Sequence, residues 1–333
     1  MNRKVNVAVL GSTGAVGIEV LKTLEKRKFP VDQLTLLASE RSVGKKLKFR
    51  GADQTVQQAT PASFTGVDIA IFSAGATLSR EFTPHAVKAG AIVVDNSSAF
   101  RMDSSVPLVV PEVNGADLKN HKGIIANPNC SAMIMVVPLW PLHQKARIRR
   151  IVLSTYQAAS GAGARAMAEL ETQARDILAG KPAKKEVLPH QIAFNVFSHN
   201  TKVAENGFNE EENKIIEETR KIFHEPNLAI CPTCIRVPVF RAHSESILIE
   251  TERKLTAEEA RTILSKAPGV KVLDDRAANH FPMPIETSGK DDIFVGRIRE
   301  DPSCPNSLAM FVSGDQLLKG AALNAVQIAE LLL

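Results

Sequence analysis

Val5-Asn-Val-Ala-Val-Leu10 followed by Gly11-Ser-Thr-Gly14-Ala-Val-Gly17 is an apolar, β-rich run that leads into three glycines spaced GxxGxxG. Behind it, Val16, Val20, Leu21 and Leu24 recur at helical spacing across Ala15 to Leu24. Strand, glycine turn and amphipathic helix in that order make a cradle for a dinucleotide. The glycines permit a tight turn and close backbone approach to a pyrophosphate, which then rests on the helix N-terminus. Alone, the spacing also fits an ordinary glycine turn; its setting between strand and helix selects the nucleotide reading. Gly11, Ser12, Thr13, Gly14, Ala15, Val16 and Gly17 are therefore candidate cofactor contacts.

Outward from this stretch the alternation continues. Leu34–Leu37, Val67–Phe72 and Ala91–Val94 read as further strands, with a helix-like segment around Glu81–Lys88 before the last. Short buried strands separated by helices predict an α/β fold with a Rossmann-type, doubly wound parallel sheet. The second strand ends Leu37-Ala-Ser39-Glu40-Arg41-Ser42. An NAD site usually carries an acidic residue here for the ribose 2′-hydroxyl. Ser39 and Arg41 can instead hold a 2′-phosphate, which favours NADP; Glu40 dissents and has to face away. Asp95-Asn96-Ser97-Ser98-Ala99-Phe100-Arg101 ends the fourth strand on the ligand side of such a sheet, making Arg101 a candidate phosphate clamp.

From about residue 132 the texture changes. An apolar helix candidate (132–146) is followed by a strand at Arg150–Tyr156 and an amphipathic helix at Ala164–Leu178, with Met167, Leu170, Ala174 and Ile177 on one stripe. Strand-like segments recur at Ile235–Phe240, Ser246–Glu250, Asp292–Ile298 and Leu308–Val312, which reads as an α+β domain with a mostly antiparallel sheet. The last segment, Gln316–Leu333, reads as a buried apolar helix capped by Asp315. The expected organisation is a nucleotide-binding domain over 1–131, completed by 315–333, and a catalytic and dimerisation domain over 132–314.

Composition narrows the function classes. The chain has 333 residues, 44% of them hydrophobic, enough for two buried cores. Met1-Asn-Arg-Lys4 runs straight into Val5–Leu10, too short for a signal peptide's apolar region, and no run approaches the ~18 apolar residues of a membrane span. The four cysteines are too scattered for a disulfide framework, and a cytoplasmic location without membrane association is expected. The net charge of +5 is dispersed and aromatics are only 5%, which argues against nucleic acid and for anionic small molecules.

Asn127-Pro-Asn129-Cys130-Ser131 lies between an apolar strand-like run and an apolar helix-like run. The Asn-Pro-Asn turn, with Ser131 as helix cap, sets Cys130 at a helix N-terminus, where partial positive charge favours a thiolate nucleophile. The bland reading is a buried small hydrophobe. Tyr156-Gln157-Ala-Ala-Ser160-Gly161-Ala-Gly163 runs from a strand end into a glycine-rich turn, where Gln157 can order a ligand. Arg236-Val-Pro-Val-Phe-Arg-Ala-His243 offers a guanidinium for a carboxylate and an imidazole for proton transfer. Positions 236 and 243 face opposite ways in one ideal strand, so a bulge or turn near Pro238 has to reset the alternation. Asn209 and Glu212 form a capping-box pair opening a helix whose Glu211 borders the buried face, near Lys214; that pair also reads as an ordinary surface ion pair. Cys231-Pro-Thr-Cys234 lacks a matching second pair, so no metal is expected.

Together these stretches resemble the aspartate-β-semialdehyde dehydrogenase family. The likeness also takes in Val109-Val-Pro-Glu-Val-Asn114, Gly314-Asp-Gln316 and Lys319-Gly-Ala-Ala-Leu-Asn-Ala325, and runs from end to end. It implies Cys130 as nucleophile, His243 as acid/base and Gln157 as the residue orienting the intermediate. It further implies that Arg236 binds the substrate carboxylate, with Asn129 also at the substrate; Glu211 meets the amino group, and Lys214 and Arg101 bind phosphate. Cofactor contacts from Ser73, Gly75, Asn96, Ser160, Gly161 and Gln316 follow from the same likeness. The implied reaction is NADPH-dependent reduction of β-aspartyl phosphate to aspartate β-semialdehyde through a cysteine thioester. It serves the biosynthesis of lysine, methionine and threonine, and is carried out by a homodimer or tetramer. Two departures stand out. Ala76 replaces a frequent glycine, and Phe197-Ser198-His199 lacks the expected proline in a region tied to the dimer contact; neither falls on the chemistry. The rival readings are an N-acetyl-glutamyl-phosphate reductase and a catalytically silent NADP-binding sensor.

Overall fold

β1, Val5–Leu10, lies inside the first sheet because both of its faces are apolar. Val5, Val7 and Val9 enter one core with Val20, Leu21 and Leu24 of α1 (Ala15–Lys26), while Ala8 and Leu10 enter another with Phe82 and Ala86. Strand side chains alternate between faces, so a strand apolar throughout has to be covered on both sides. The computed structural model describes residues 3–333; Met1 and Asn2, which begin the expected first domain and the segment read as lacking a leader, lie outside the described residues.

By its internal contacts the chain forms two compact units, Met1–Asn129 with Gly320–Leu333, and Cys130–Lys319. The first contains β2 (Val31–Ala38), a small hairpin of β3 (Lys46–Phe49) and β4 (Ala52–Thr55), β5 (Gln57–Gln58), β6 (Ile69–Phe72), α2 (Ala76–Lys88), β7 (Ile92–Asp95), the short α3 (Pro111–Asn114) and β8 (Ile124–Ala126). Its main sheet runs β5-β2-β1-β6-β7-β8 with every pairing parallel. The helix expected from Glu81 begins already at Ala76, where Gly75 at φ 85° turns the chain out of β6.

The end of the chain differs from a single helix over 316–333. Residues 318–322 are π-helical and only Leu323–Glu330 is α-helical. The unit boundary also falls after Lys319 rather than before Asp315. Asp315 explains this: buried in the second unit, its Oδ2 accepts from Arg241 Nε at 2.7 Å and from Gly289 N at 2.6 Å. The C-terminal helix packs on α1, where Arg27 holds Glu330 through two hydrogen bonds of 2.7 and 2.6 Å. Buried Asn324 donates from Nδ2 to Val109 O at 2.9 Å and to Asn127 Oδ1 at 2.6 Å.

The second unit opens with α4 (Cys130–Ala146), followed by β9 (Ile148–Gln157), α5 (Ala164–Leu178), β10 (Phe197–Ser198), α6 (Glu210–Phe223), β11 (Ala229–Arg236), β12 (His243–Thr251), α7 (Ala257–Leu264), β13 (Val270–Val272), the short α8 (Pro284–Thr287), β14 (Ile293–Glu300) and β15 (Ser307–Gly314). Its sheet runs β10-β11-β9-β12-β15-β14-β13; β11/β9 and β13/β14 are parallel and the other four pairings antiparallel. α4 is apolar on all sides, contains Pro138 and Pro141, and lies against β9, β12, β14 and β15 and against α6 and α7. Burial of each of its large side chains, about 1.5–3 kcal/mol apiece, offsets the hydrogen bonds that the prolines remove.

Replacing Asn324 with Leu leaves Val109 O and Asn127 Oδ1 without this donor in a dry environment. The expected cost is about 2 kcal/mol or more, read as a lower urea midpoint; an unchanged midpoint refutes a structural role for this amide.

Candidate active site

Arg236, Gln157 and His243 stand in one row. In parallel register Arg236 at the end of β11 faces Gln157 at the end of β9, and the antiparallel pairing Ser244–Tyr156 puts His243 level with Gln157 on the other side. Gly314 of β15 continues the row beyond His243. The alternation problem raised by positions 236 and 243 thus does not arise. They belong to two strands flanking β9, and the strand expected over Ile235–Phe240 stops at Arg236. Residues 237–242 cross from one neighbour of β9 to the other, with Val239 N bonded back to Val237 O at 2.8 Å and Ala242 at φ 72°.

The row is held by one peptide. Ala158 N donates to His243 Nδ1 at 3.0 Å, and Ala158 O accepts from Arg236 Nη1 at 2.8 Å. His243 is fully buried, and burial first, then the Arg236 charge, push its pKa down from 6.5 to about 3. The ring is therefore neutral at physiological pH. Since Nδ1 accepts, its proton sits on Nε2, a buried atom that no protein group meets. Gln157 accepts from Thr155 Oγ1 at 3.0 Å and donates from Nε2 to Glu211 Oε1 at 3.2 Å; Glu211 Oε2 lies 3.6 Å from Lys214 Nζ. The capping box at the start of α6 forms as the spacing predicts, and its Glu212 also accepts from Cys234 N at 2.9 Å, tying Glu211 and Lys214 to β11.

Cys130 is the first residue of α4 and a free, half-buried thiol; its field reaches the Arg236 guanidinium. Because the helix already includes Cys130, Ser131 stands inside the first turn and is not its cap. Gly161 lies against the row. A Cβ there falls 3.1 Å from His243 Cε1, 3.2 Å from His243 Nε2 and 3.2 Å from Arg236 Nη1. Gln316 is buried, donates to Ser160 Oγ and accepts from Ala242 N at 2.8 Å, so it pins both the 159–162 turn and the approach to His243. His199, read as remote from the chemistry, is here a neighbour of Arg236, with Nε2 2.8 Å from Nη2. No motif marks it; a two-residue strand brings it in. Cys231 and Cys234 lie on opposite faces of β11, one exposed and one buried, and among the described residues no three His, Cys, Asp or Glu side chains cluster as a metal site.

In the first unit the glycine loop borders a cavity of about 350 Å³ lined by Gly11, Thr13, Gly14, Ser39, Arg41 and Ser73 among others. Gly11, at φ 85°, cannot carry a Cβ, which falls 2.3 Å from Ser73 O; at Gly17 it falls 2.3 Å from Gly11 O. Bare backbone is thus required at the turn. Three expectations are corrected here. Glu40 lines the same cavity rather than facing away, since Ser39, Glu40 and Arg41 sit together on the exposed turn after β2. Ser12 does not face the cavity: it is fully buried, and both its N and its Oγ donate to Leu37 O, at 3.2 and 3.3 Å. Asn96 spends its side chain on Phe72 O and Asn127 Nδ2, both at 2.8 Å. Ala15, Val16 and Gly75 are not among the lining residues either. Arg101 is buried and donates to Asn127 O at 2.9 Å and to Asn96 O at 2.8 Å, while Asn129 is buried at the end of this unit.

Two family models match. "Semialdehyde dehydrogenase, NAD binding domain" covers residues 6–121, and "Semialdehyde dehydrogenase, dimerisation domain" covers residues 139–319. The aspartate-semialdehyde dehydrogenase of Prochlorococcus marinus is 54% identical over 332 residues, covering 100% of this chain and 97% of that protein. The chain belongs to the aspartate-semialdehyde dehydrogenase family. Within that family, the crystal structure of aspartate semialdehyde dehydrogenase II from Vibrio cholerae, complexed with ASA, superposes with a TM-score of 0.97 at 43% identity, covering 99% of this chain and 98% of that one. The Candida albicans enzyme with NADP gives a TM-score of 0.77 at 26% identity, covering 99% and 98%. The chain is accordingly an aspartate-semialdehyde dehydrogenase with an NAD(P)-binding domain and a dimerisation domain, and among its described residues no helix is long and apolar enough to cross a membrane.

Two outcomes are expected. Gly161→Ala displaces His243 or Arg236 and lowers kcat/KM by about 100-fold with unchanged circular dichroism; wild-type kinetics contradict the tight fit. His243 and His199, whose pKa burial likewise lowers to about 4, are held neutral when folded and regain an ordinary 6.5 when unfolded. Their contribution to stability is complete above pH 6.5 and is lost as pH falls toward 4 and then 3. Well inside that window each ring contributes about 1.4 kcal/mol per pH unit. Urea midpoints at pH 7.5 and 5 test this; equal values in the two buffers contradict it.

Proposed function

We propose that Cys130 attacks the acyl carbon of β-aspartyl phosphate, expels inorganic phosphate and forms a thioester, which is reduced and released as aspartate β-semialdehyde by a cytosolic, NADP-dependent homodimer. One observation carries this reading: a cysteine at a helix start, on the helix that covers the row of Arg236, Gln157 and His243.

The bound cofactor supplies the hydride; Gly11, Gly14, Thr13, Ser39 and Arg41 fit it, since the loop offers bare backbone beside the cavity. The chain's own residues do the rest. The N-terminus of α4 stabilises the Cys130 thiolate. Arg236 binds the substrate's α-carboxylate and Glu211 its ammonium, while Lys214 and Arg101 bind phosphate, with Asn129 beside the nucleophile. After reduction the thiohemiacetal on Cys130 collapses, its C–S bond breaks and its oxyanion becomes the aldehyde oxygen. Throughout, His243 meets these species as a donor, through the Nε2 proton that Ala158 N fixes by occupying Nδ1. Gln157, braced between Thr155 and Glu211, orients the acyl group.

For the dimer, the sheet face opposite α4 bears Tyr156, 37% exposed and packed against Phe311, with Val152, Leu248 and Ala309 half-buried around it. A second copy covers this face. Glu40 in the cofactor cavity supports a competing reading in which NAD is accepted, its carboxylate taking the ribose hydroxyls.

The test is phosphate-dependent reduction of NADP and of NAD with aspartate semialdehyde and with N-acetylglutamate semialdehyde. Activity with aspartate semialdehyde and NADP is expected, and Cys130→Ala should bind NADP yet turn over nothing. Turnover by that variant rejects the thioester, and a preference for NAD assigns the cavity to Glu40.

A further inference from the structure

Arg236 is clamped from two sides, and only one clamp belongs to the row of functional side chains. On one side Nη1 donates to Ala158 O at 2.8 Å; on the other Nη2 lies 2.8 Å from His199 Nε2. A guanidinium only donates, so Nε2 accepts and the neutral imidazole carries its proton on Nδ1. Nδ1 faces Thr201 Oγ1 at 3.3 Å, and the same oxygen accepts from Glu211 N at 3.2 Å. A continuous path thus runs from Arg236 through His199 and Thr201 to the first turn of α6, which bears Glu211. The backbone builds this contact deliberately: Phe197 pairs with Arg236 and Ser198 with Ile235, and His199 N donates to Cys234 O at 2.8 Å.

We infer that His199 is a positioning residue: as a neutral acceptor it fixes the Arg236 guanidinium and sets its spacing to Glu211, so that the α-carboxylate and α-ammonium of the substrate are recognised as one unit. The inference rests on the reading of Arg236 as the carboxylate-binding residue. Without an acceptor at 199, Nη2 loses its outer anchor and the guanidinium can swing about its Ala158 bond. A group that binds a carboxylate in two-point fashion loses most from such rotation, because both bonds need one plane. The chemistry at Cys130 depends on none of these contacts, so substrate affinity should suffer more than turnover.

The experiment compares His199→Leu, His199→Gln and Arg236→Ala in the full chain, assayed with aspartate semialdehyde, phosphate and NADP. His199→Leu should raise KM for aspartate semialdehyde by about ten-fold or more, the equivalent of one charge-assisted hydrogen bond, leaving kcat and the KM values for phosphate and NADP within about three-fold. His199→Gln, whose Oε1 accepts from Nη2, should restore KM to within about three-fold of wild type. A wild-type KM in His199→Leu overturns the inference, as does a fall of all parameters together or a Gln variant as poor as the Leu one. Arg236→Ala separates the two levels. If its KM for aspartate semialdehyde is unchanged, the carboxylate reading fails and the inference with it. If its KM rises while His199→Leu behaves as wild type, only the inference fails.

Discussion

The peptide of Ala158 is the constraint on which the site depends. Its N–H sets the tautomer of His243 and its carbonyl holds Arg236, so the acid and the cation are positioned by two atoms of one fully buried residue. That peptide is fixed in turn by β9, which has a parallel neighbour on one side and an antiparallel neighbour on the other. A mixed sheet is what allows two strand ends and one strand start to meet at one edge. Mutation of side chains around the row can loosen it, but the two anchoring atoms belong to the main chain.

Around this edge the remaining groups are graded by how firmly they are held. Gln157 is bonded at both ends of its amide, and Gln316 likewise between Ser160 and Ala242. Lys214 is looser, half-buried and 3.6 Å from its partner, as suits a group that must exchange a carboxylate for an incoming anion. The Nε2 proton of His243 and the Nε of Arg236 are buried with no protein acceptor. Two unspent donors in a dry site are costly to a protein unless a ligand takes them up.

Much of this could be read from residues, and the failures have physical causes. The first sheet was legible because β1 is apolar on both faces and leads into a glycine turn, a pattern local in sequence. The thiol at the start of α4 was legible for the same reason, though not that the helix begins at Cys130 itself. Arg236 and His243 were named correctly but set in one strand. Nothing local distinguishes a bulge from a crossover between two neighbours of β9. Glu40, Ser12 and Asn96 were misjudged because the direction of a turn side chain is decided by its tertiary partners, such as Leu37 O and Phe72 O. His199 was assigned to the wrong task altogether, since its partner lies 37 positions away and only strand pairing brings them together.

The division of the first unit between the two ends of the chain has a consequence for synthesis. Ala322, Ala325, Val326, Ile328 and Ala329 belong to the same hydrophobic cluster as Val5, Val7 and Val9. During translation these residues emerge only after all of 130–319, so the nucleotide unit waits with part of its core open while its neighbour, continuous in sequence, can fold. Closing so long a loop costs little extra entropy, so the delay is one of order rather than of energy. The ribosome thus releases a chain whose catalytic half is ready first and whose cofactor half is sealed by the last turns to appear.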